Sequence, residues 1–167
     1  MPRVPARFKK ILETLCRHEV KFIVVGGVSA VLQGAPVATF DLDIVHARTR
    51  KNLSKLLAAL TALDAFYREQ PAKKLRPTLT HLGSAGHQLL LTVAGPLDVL
   101  GTIENGAGYD ELAPHTVTQK ISKSCTIRLL DLETLISTKE KTNRAKDRAV
   151  LDVLRETLAQ KNPKNGQ

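Results

Sequence analysis

Residues 22–45 read FIVVGGVSAVLQGAPVATFDLDIV, and the rest of the chain is best understood from this stretch outward. Its β-branched opening, residues 21–25, predicts a strand that ends in a tight turn at Gly26-Gly27. Residues 27–34 follow as a helix, because Val28, Val31 and Leu32 share a face and Gly34 suits a C-terminal stop. Gly34-Ala35-Pro36 is a loop. Residues 38–45 alternate in the manner of a second strand. On such a strand Asp41 and Asp43, at i and i+2, point to one face about 6.5–7 Å apart. Leu42 and Ile44 point the other way, into the core. Two carboxylates on one face of a largely buried strand repel each other and lose hydration. A divalent cation supplies the compensation, and an all-oxygen donor set selects magnesium or manganese over zinc.

A third acid, Asp98, stands alone among apolar neighbours in Pro96-Leu97-Asp98-Val99-Leu100. A strand there, placed beside residues 38–45, brings Asp98 to Asp41 and Asp43 as a platform for metal ions. Gly26 and Gly27 lack side chains and let backbone come close to a phosphate at a helix start, where Ser29 adds a hydroxyl donor. A phosphate cradle at one strand end and metal-binding acids on the next strand suit phosphoryl transfer, in which the protein positions groups and neutralises charge.

Around this centre the chain reads as alternating helices and strands. Residues 5–19 carry Phe8, Ile11, Leu12 and Leu15 at helical spacing. Residues 50–64 carry Leu53, Leu56, Leu57, Leu60 and Leu63 on one stripe. Residues 65–86 are poorly patterned. Strands are expected at 87–93 and 97–103, joined through Ala94-Gly95-Pro96 as a hairpin. Residues 104–114 read as loop, 115–119 and 125–130 as weaker strands, and 131–142 and 145–160 as helices. The order argues for one α/β (α+β) domain over residues 1–160, with a short mixed sheet flanked by helices, and a flexible tail at 161–167.

Composition sets outer bounds. The 167 residues are 43% apolar, enough for a domain core. Lys and Arg number 25 against 16 Asp and Glu, a net charge of +9, which points to an anionic partner or serves solubility alone. Aromatic residues are 4% and Trp is absent, which argues against a sheet that stacks bases on aromatic rings. No run is apolar for the roughly 20 residues a membrane helix needs, and no signal peptide is legible, so a reducing cytoplasm is the expected compartment. Cys16 and Cys125 lie far apart with no C-x-x-C, and read as buried thiols rather than a disulfide framework or a zinc site. The five histidines show no metal spacing, and His46 reads as a strand-end surface residue.

An apolar residue, Gly26-Gly27, thirteen residues, then Asp41-Leu42-Asp43-Ile44 resembles the signature of the nucleotidyltransferase superfamily, whose fold resembles the DNA polymerase β palm. Asp98 matches that family's third acid. The stretch Gly34–Asp43 and the C-terminal segment Leu132–Leu154 resemble small bacterial members related to AbiEii-like toxins and minimal nucleotidyltransferases. Two departures stand out: Val37 replaces an Arg that many relatives carry, and Phe40 stands where a polar or small residue is usual.

The resemblance implies transfer of a nucleoside monophosphate from a nucleoside triphosphate such as ATP to a hydroxyl acceptor, in RNA, a tRNA end, a protein or a small molecule, within a toxin–antitoxin system for the AbiEii-like branch. Asp41, Asp43 and Asp98 would be catalytic and hold Mg2+ or Mn2+. Gly26, Gly27 and Ser29 would hold phosphate oxygens, and Lys139 and Arg144 would reach the triphosphate. For Lys141 and Lys146 a solvated charged face is as good a reading. The limited length suggests a helical partner subunit or a second copy of the chain for acceptor recognition. The other reading is a non-catalytic protein on the same scaffold, a regulatory, antitoxin-like subunit or a nucleic-acid-binding module.

Overall fold

The computed structural model describes residues 4–163, and the helix expected first is α1, Ala6–Arg17, with Phe8, Ile11, Leu12 and Leu15 buried. Strand β1, Phe22–Val25, is buried along its whole length, as the unbroken apolar run requires. It passes directly into α2, Gly26–Leu32. Strand β2 is Leu42–His46, so residues 38–41 lie outside it and the expected strand is shorter at its start. The backbone there is held by side chains instead: Thr39 Oγ1 donates to Asp41 O, and Arg7 donates to Thr39 O.

Helix α3, Arg50–Ala62, starts at an N-cap in which Thr49 accepts from the Asn52 N–H. Its Leu56 and Leu60 are buried, each stabilising the fold by roughly 1.5–3 kcal/mol. The poorly patterned segment after it holds a two-residue strand β3, Phe66–Tyr67, a 3-10 turn at Pro71–Lys73 and the short α4, Leu79–Gly83. The hairpin follows as β4, His87–Thr92, and β5, Gly95–Leu100, so the turn is Val93-Ala94 rather than Ala94-Gly95-Pro96, and Gly95 opens β5 at φ 121°. The stretch expected as loop holds α5, Tyr109–Leu112. A second hairpin, β6, Thr116–Ser122, and β7, Cys125–Leu130, leads into α6, Leu132–Thr142, and α7, Ala145–Lys161. Of the tail, residues 164–167 lie outside the described residues.

The described strands form one mixed sheet in the order β3-β4-β5-β2-β1-β7-β6. Strand β2 runs antiparallel to β1 and parallel to β5, while β1 runs parallel to β7. This is the α/β architecture with a mixed sheet that the element order predicts. Alternation along the strands divides the core in two. Leu42, Ile44, Leu97 and Val99 face one way and pack with α1 and α3. Val25, Val45, Leu100 and Leu130 face the other way and pack with α6 and α7.

Two expectations are corrected here. Cys16 and Cys125 are not free thiols but form a disulfide between the end of α1 and the start of β7, with Cα atoms 5.5 Å apart. The pair is 109 residues apart in sequence, and only the packing of α1 on β7 brings it together. His46 is buried, not at the surface, and burial lowers the pKa of its imidazole. No helix among the described residues is long and apolar enough to cross a membrane.

Candidate functional site

The pleat that sends Leu42 and Ile44 into the α1–α3 core sends Asp43 to the opposite face, towards α6 and α7. Asp98 has the same orientation on β5, between the buried Leu97 and Val99. Register completes the arrangement: Asp43 is the Cα partner of Asp98 across the parallel β2–β5 pair, and of Val25 across β1–β2. Adjacent strands lie about 4.8 Å apart, so the two carboxylates are forced together. Burial and the neighbouring Asp98 carboxyl push the Asp43 carboxyl up to about 8.

Gly26 stands against this pair. Its φ is +64°, and a Cβ there would collide with Asp43 Oδ2. A Cβ on Gly27 would come within 2.8 Å of Thr39 Oγ1. The two glycines are thus required by the close approach of the β1–α2 turn to Asp43 on β2 and to Thr39 in the segment before it, a reason the sequence alone does not show.

Asp41 is brought to the same region but sits outside the strand, its side chain 41% exposed. What ties it to Asp98 is Arg68, which sequence reasoning missed. Arg68 Nη1 donates to Asp98 Oδ1 at 2.6 Å, and Arg68 Nη2 lies 3.6 Å from Asp41 Oδ2. Arg68 directly follows β3, and its N–H donates to Leu89 O. Leu89 in turn is the register partner of Asp98. Arg68, Leu89, Asp98, Asp43 and Val25 therefore form one row across four strands, with Arg68 just past the end of β3. No sequence signal marks Arg68 as special, since it lies in the poorly patterned segment. Among the described residues no three His, Cys, Asp or Glu side chains stand as a ready-made metal-holding group.

A cavity of about 450 Å3 opens over Asp43 and Asp98. Gly26 and Gly27 line it, as do Lys139, Arg144 and Lys146. Its apolar lining includes Leu100, Ile103, Leu135 and Val150. Lys139 and Arg144 are positioned by Asp147, which is buried at the start of α7. Arg144 Nε donates to Asp147 Oδ2 at 2.8 Å, Thr142 Oγ1 to the same oxygen at 2.7 Å, and Lys139 Nζ to Oδ1 at 3.4 Å. The hydrogen bond from Arg144 leads the effects that hold the Asp147 carboxyl well below the usual range. Arg144 also pairs with Glu104 at 2.8 Å. Lys146 joins the cavity wall, while Lys141 is exposed.

The structure thus brings Gly26, Gly27, Asp43, Asp98, Lys139 and Arg144 to one cavity, with Asp41 at the Arg68 side. Ser29 is the exception. It is fully buried and its hydroxyl donates to Leu130 O at 2.7 Å, so it is not available to a phosphate. The reason is helical phase: the fourth position of α2 faces the end of β7, where Gln33 Nε2 also donates to Ser29 Oγ and to Leu130 O. Val37 packs half-buried against the core beneath α6 and α7, and Phe40 is 73% exposed.

Neither a family profile nor a curated protein sequence matches the chain. Solved structures do. The presumed nucleotidyltransferase TM1012 from Thermotoga maritima aligns with a TM-score of 0.56 at 19% identity, over 92% of this chain and 91% of that one. The lincosamide antibiotic adenylyltransferase LnuA, in a lincomycin-bound structure, aligns with a TM-score of 0.62 at 12% identity, over 94% of this chain and 99% of that one. The chain therefore has the nucleotidyltransferase fold, as the Gly-Gly and Asp-Leu-Asp-Ile pattern implied.

Proposed function

We propose that this protein is a metal-dependent nucleotidyltransferase that moves a nucleoside monophosphate from a nucleoside triphosphate to a hydroxyl acceptor. The observation that carries the reading is the placement of Asp43 and Asp98 side by side beneath a cavity bounded by Gly26-Gly27 and by Lys139 and Arg144. The residues fit a magnesium or manganese ion: the donors are all carboxylate oxygens, and Gly26 leaves room beside Asp43 that a Cβ would fill. Asp41, Asp43 and Asp98 would hold the metal. When bound, it supplies Lewis-acid polarisation of the phosphoryl oxygens and neutralises developing charge.

The chain's own groups do the rest. The backbone of Gly26-Gly27 holds phosphate oxygens. Lys139 and Arg144, fixed by Asp147, reach the triphosphate from α6 and the start of α7. The apolar wall excludes water around the nucleoside. The acceptor oxygen attacks the α-phosphorus, the bond to the β-phosphate oxygen breaks, and pyrophosphate leaves. The proton of the acceptor hydroxyl passes to a carboxylate, the role given to Asp98.

For the acceptor, LnuA favours a small hydroxyl-bearing molecule. It is an antibiotic adenylyltransferase that aligns over 94% of this chain and 99% of its own. RNA and a protein side chain are the other acceptor classes, either of which suits a toxin–antitoxin setting, and the net charge of +9 favours RNA. The second function reading is a binding protein on the same scaffold, and one observation favours it: Asp41 and Asp98 already meet a cation in Arg68.

One experiment separates the two. The protein is titrated calorimetrically with ATP, CTP, GTP and UTP in magnesium, and then incubated with α-labelled nucleotide and panels of small hydroxyl compounds, RNA and protein. The enzyme reading expects binding of at least one nucleotide and label transfer that D43A abolishes. Absence of binding to all four nucleotides sinks it.

A further inference from the structure

Resting on the metal-dependent reading above, we infer that Arg68 is a built-in competitor of the divalent cation for Asp41 and Asp98, and so sets how tightly this site takes its metal. Arg68 is the element of the site that neither the signature residues nor the cavity explains. It lines no part of the cavity, yet its guanidinium spans two of the three acids. The contact to Asp98 is short, at 2.6 Å, and partly shielded, with the Asp98 side chain 15% exposed. A charge-assisted bond of that length in such a setting is stronger and less screened than a surface ion pair.

The placement is built into the backbone. Strand β3 is only two residues long, and its pairing with β4 sets Phe66 opposite Leu91 and Tyr67 opposite Leu90. Arg68 follows, with its N–H on Leu89 O and its Nη1 also 3.5 Å from Leu90 O. This fixes it two strand spacings, about 10 Å, from Asp98, at the outer end of the Arg68-Leu89-Asp98-Asp43 row. Tyr67 is held too, its hydroxyl donating to Gln88 Oε1 and its ring edge-on to His81. The guanidinium is therefore delivered to the acids by a braced edge.

A hard cation needs the same carboxylate oxygens and carries charge of the same sign. A guanidinium that donates to Asp98 Oδ1 blocks one lone-pair direction of that oxygen, and its charge repels a divalent ion bound to Asp98 or Asp41. Metal loading then requires Arg68 to leave at least Asp98. The free side has room for this, since Asp41 is half-exposed and the Arg68 side chain is itself 28% exposed.

Manganese binding without nucleotide, followed by the EPR signal of free Mn2+, tests the inference on the full chain. Wild type is compared with R68A and R68Q, the second keeping length and polarity if the first fails to fold, and each variant's folding is checked by its melting curve. Both variants are expected to bind Mn2+ about tenfold more tightly, a shift of ~1.4 kcal/mol. In a D98N background the same Arg68 replacement is expected to give a much smaller gain. Equal or weaker Mn2+ affinity in the folded Arg68 variants overturns the inference. If wild type nevertheless binds nucleotide and transfers label, the transferase reading survives that failure. If neither wild type nor the Arg68 variants bind Mn2+ at all, the inference falls, and the transferase reading is then decided by the nucleotide titration and label transfer above.

Discussion

Asp43 on β2 and Asp98 on β5 are register partners in adjacent parallel strands, and their carboxylates face the same cavity. Such a pair costs the fold stability. Burial and Asp98 raise the Asp43 pKa from 3.8 to about 8, so the folded protein without metal binds a proton that the unfolded chain releases above about pH 4. The contribution is fully present below the unfolded pKa and is lost as pH rises towards 8. D43N removes this titration. In EDTA, D43N is expected to melt higher than wild type by several degrees at pH 8, with little difference at pH 4. Magnesium should narrow the gap at pH 8 by stabilising wild type alone. A pH-independent difference, or a D43N protein that melts lower at pH 8, contradicts this account. The same variant is expected to lose nucleotidyl transfer by at least about a hundredfold.

Gly26 meets Asp43 from the other side, at a φ that non-glycine residues rarely adopt. G26A combines a strained backbone with a collision against the Asp43 carboxylate, and should destabilise the fold by about 1–3 kcal/mol. It should also weaken nucleotide binding beyond what the loss of folded protein explains. Urea melts and calorimetric titration of the folded fraction separate the two effects. D43A in the G26A background is expected to recover part of the stability, because it removes the atom that collides.

How much of this was legible in sequence follows from which interactions are local. Asp43 and Asp98 could be assigned to one face because strand alternation is a short-range property: the pleat that buries Leu42, Ile44, Leu97 and Val99 necessarily turns both to the other side. Ser29 was misplaced because a helix of seven residues carries too little pattern to fix which side faces the cleft. Arg68 left no trace, since a two-residue strand has no periodicity and its partners lie 27 and 30 residues away. The reason for Gly26 was half read: closeness to a phosphate was expected, and closeness to Asp43 is what the backbone shows. Asp41 was drawn onto a strand that starts one residue later, at Leu42.

The disulfide between Cys16 and Cys125 closes a very long loop, its ends 109 positions apart, and cross-links of that length restrict the unfolded chain strongly. Reduction, or C125S, is expected to cost roughly 2–4 kcal/mol. A denatured but unreduced sample should show no free thiols with Ellman's reagent, and two after dithiothreitol. Two thiols before reduction would refute the bridge. Because neither cysteine lines the cavity, transfer at 25 °C should be unchanged in C125S wherever the protein stays folded.

Asp147 joins the last two helices to the cavity and carries the opposite pH sign from Asp43. Its carboxylate is buried and accepts from Arg144, Thr142 and Lys139, which holds its pKa well below the usual carboxylate range. The stability it contributes is therefore present above the unfolded pKa of about 4 and is lost as pH falls below that value. D147N keeps the shape but loses the charge, and is expected to cost about 1–3 kcal/mol at pH 7. The deficit should shrink steadily in melts taken from pH 4 down to pH 2. Lys139 and Arg144 lose their anchor in the same variant, so the KM for nucleoside triphosphate should rise several-fold while the pH profile of the deficit follows Asp147. A D147N protein with wild-type KM would remove Lys139 and Arg144 from the triphosphate site, and a deficit that stays constant down to pH 2 would mean that the carboxylate's charge contributes nothing to this corner of the fold.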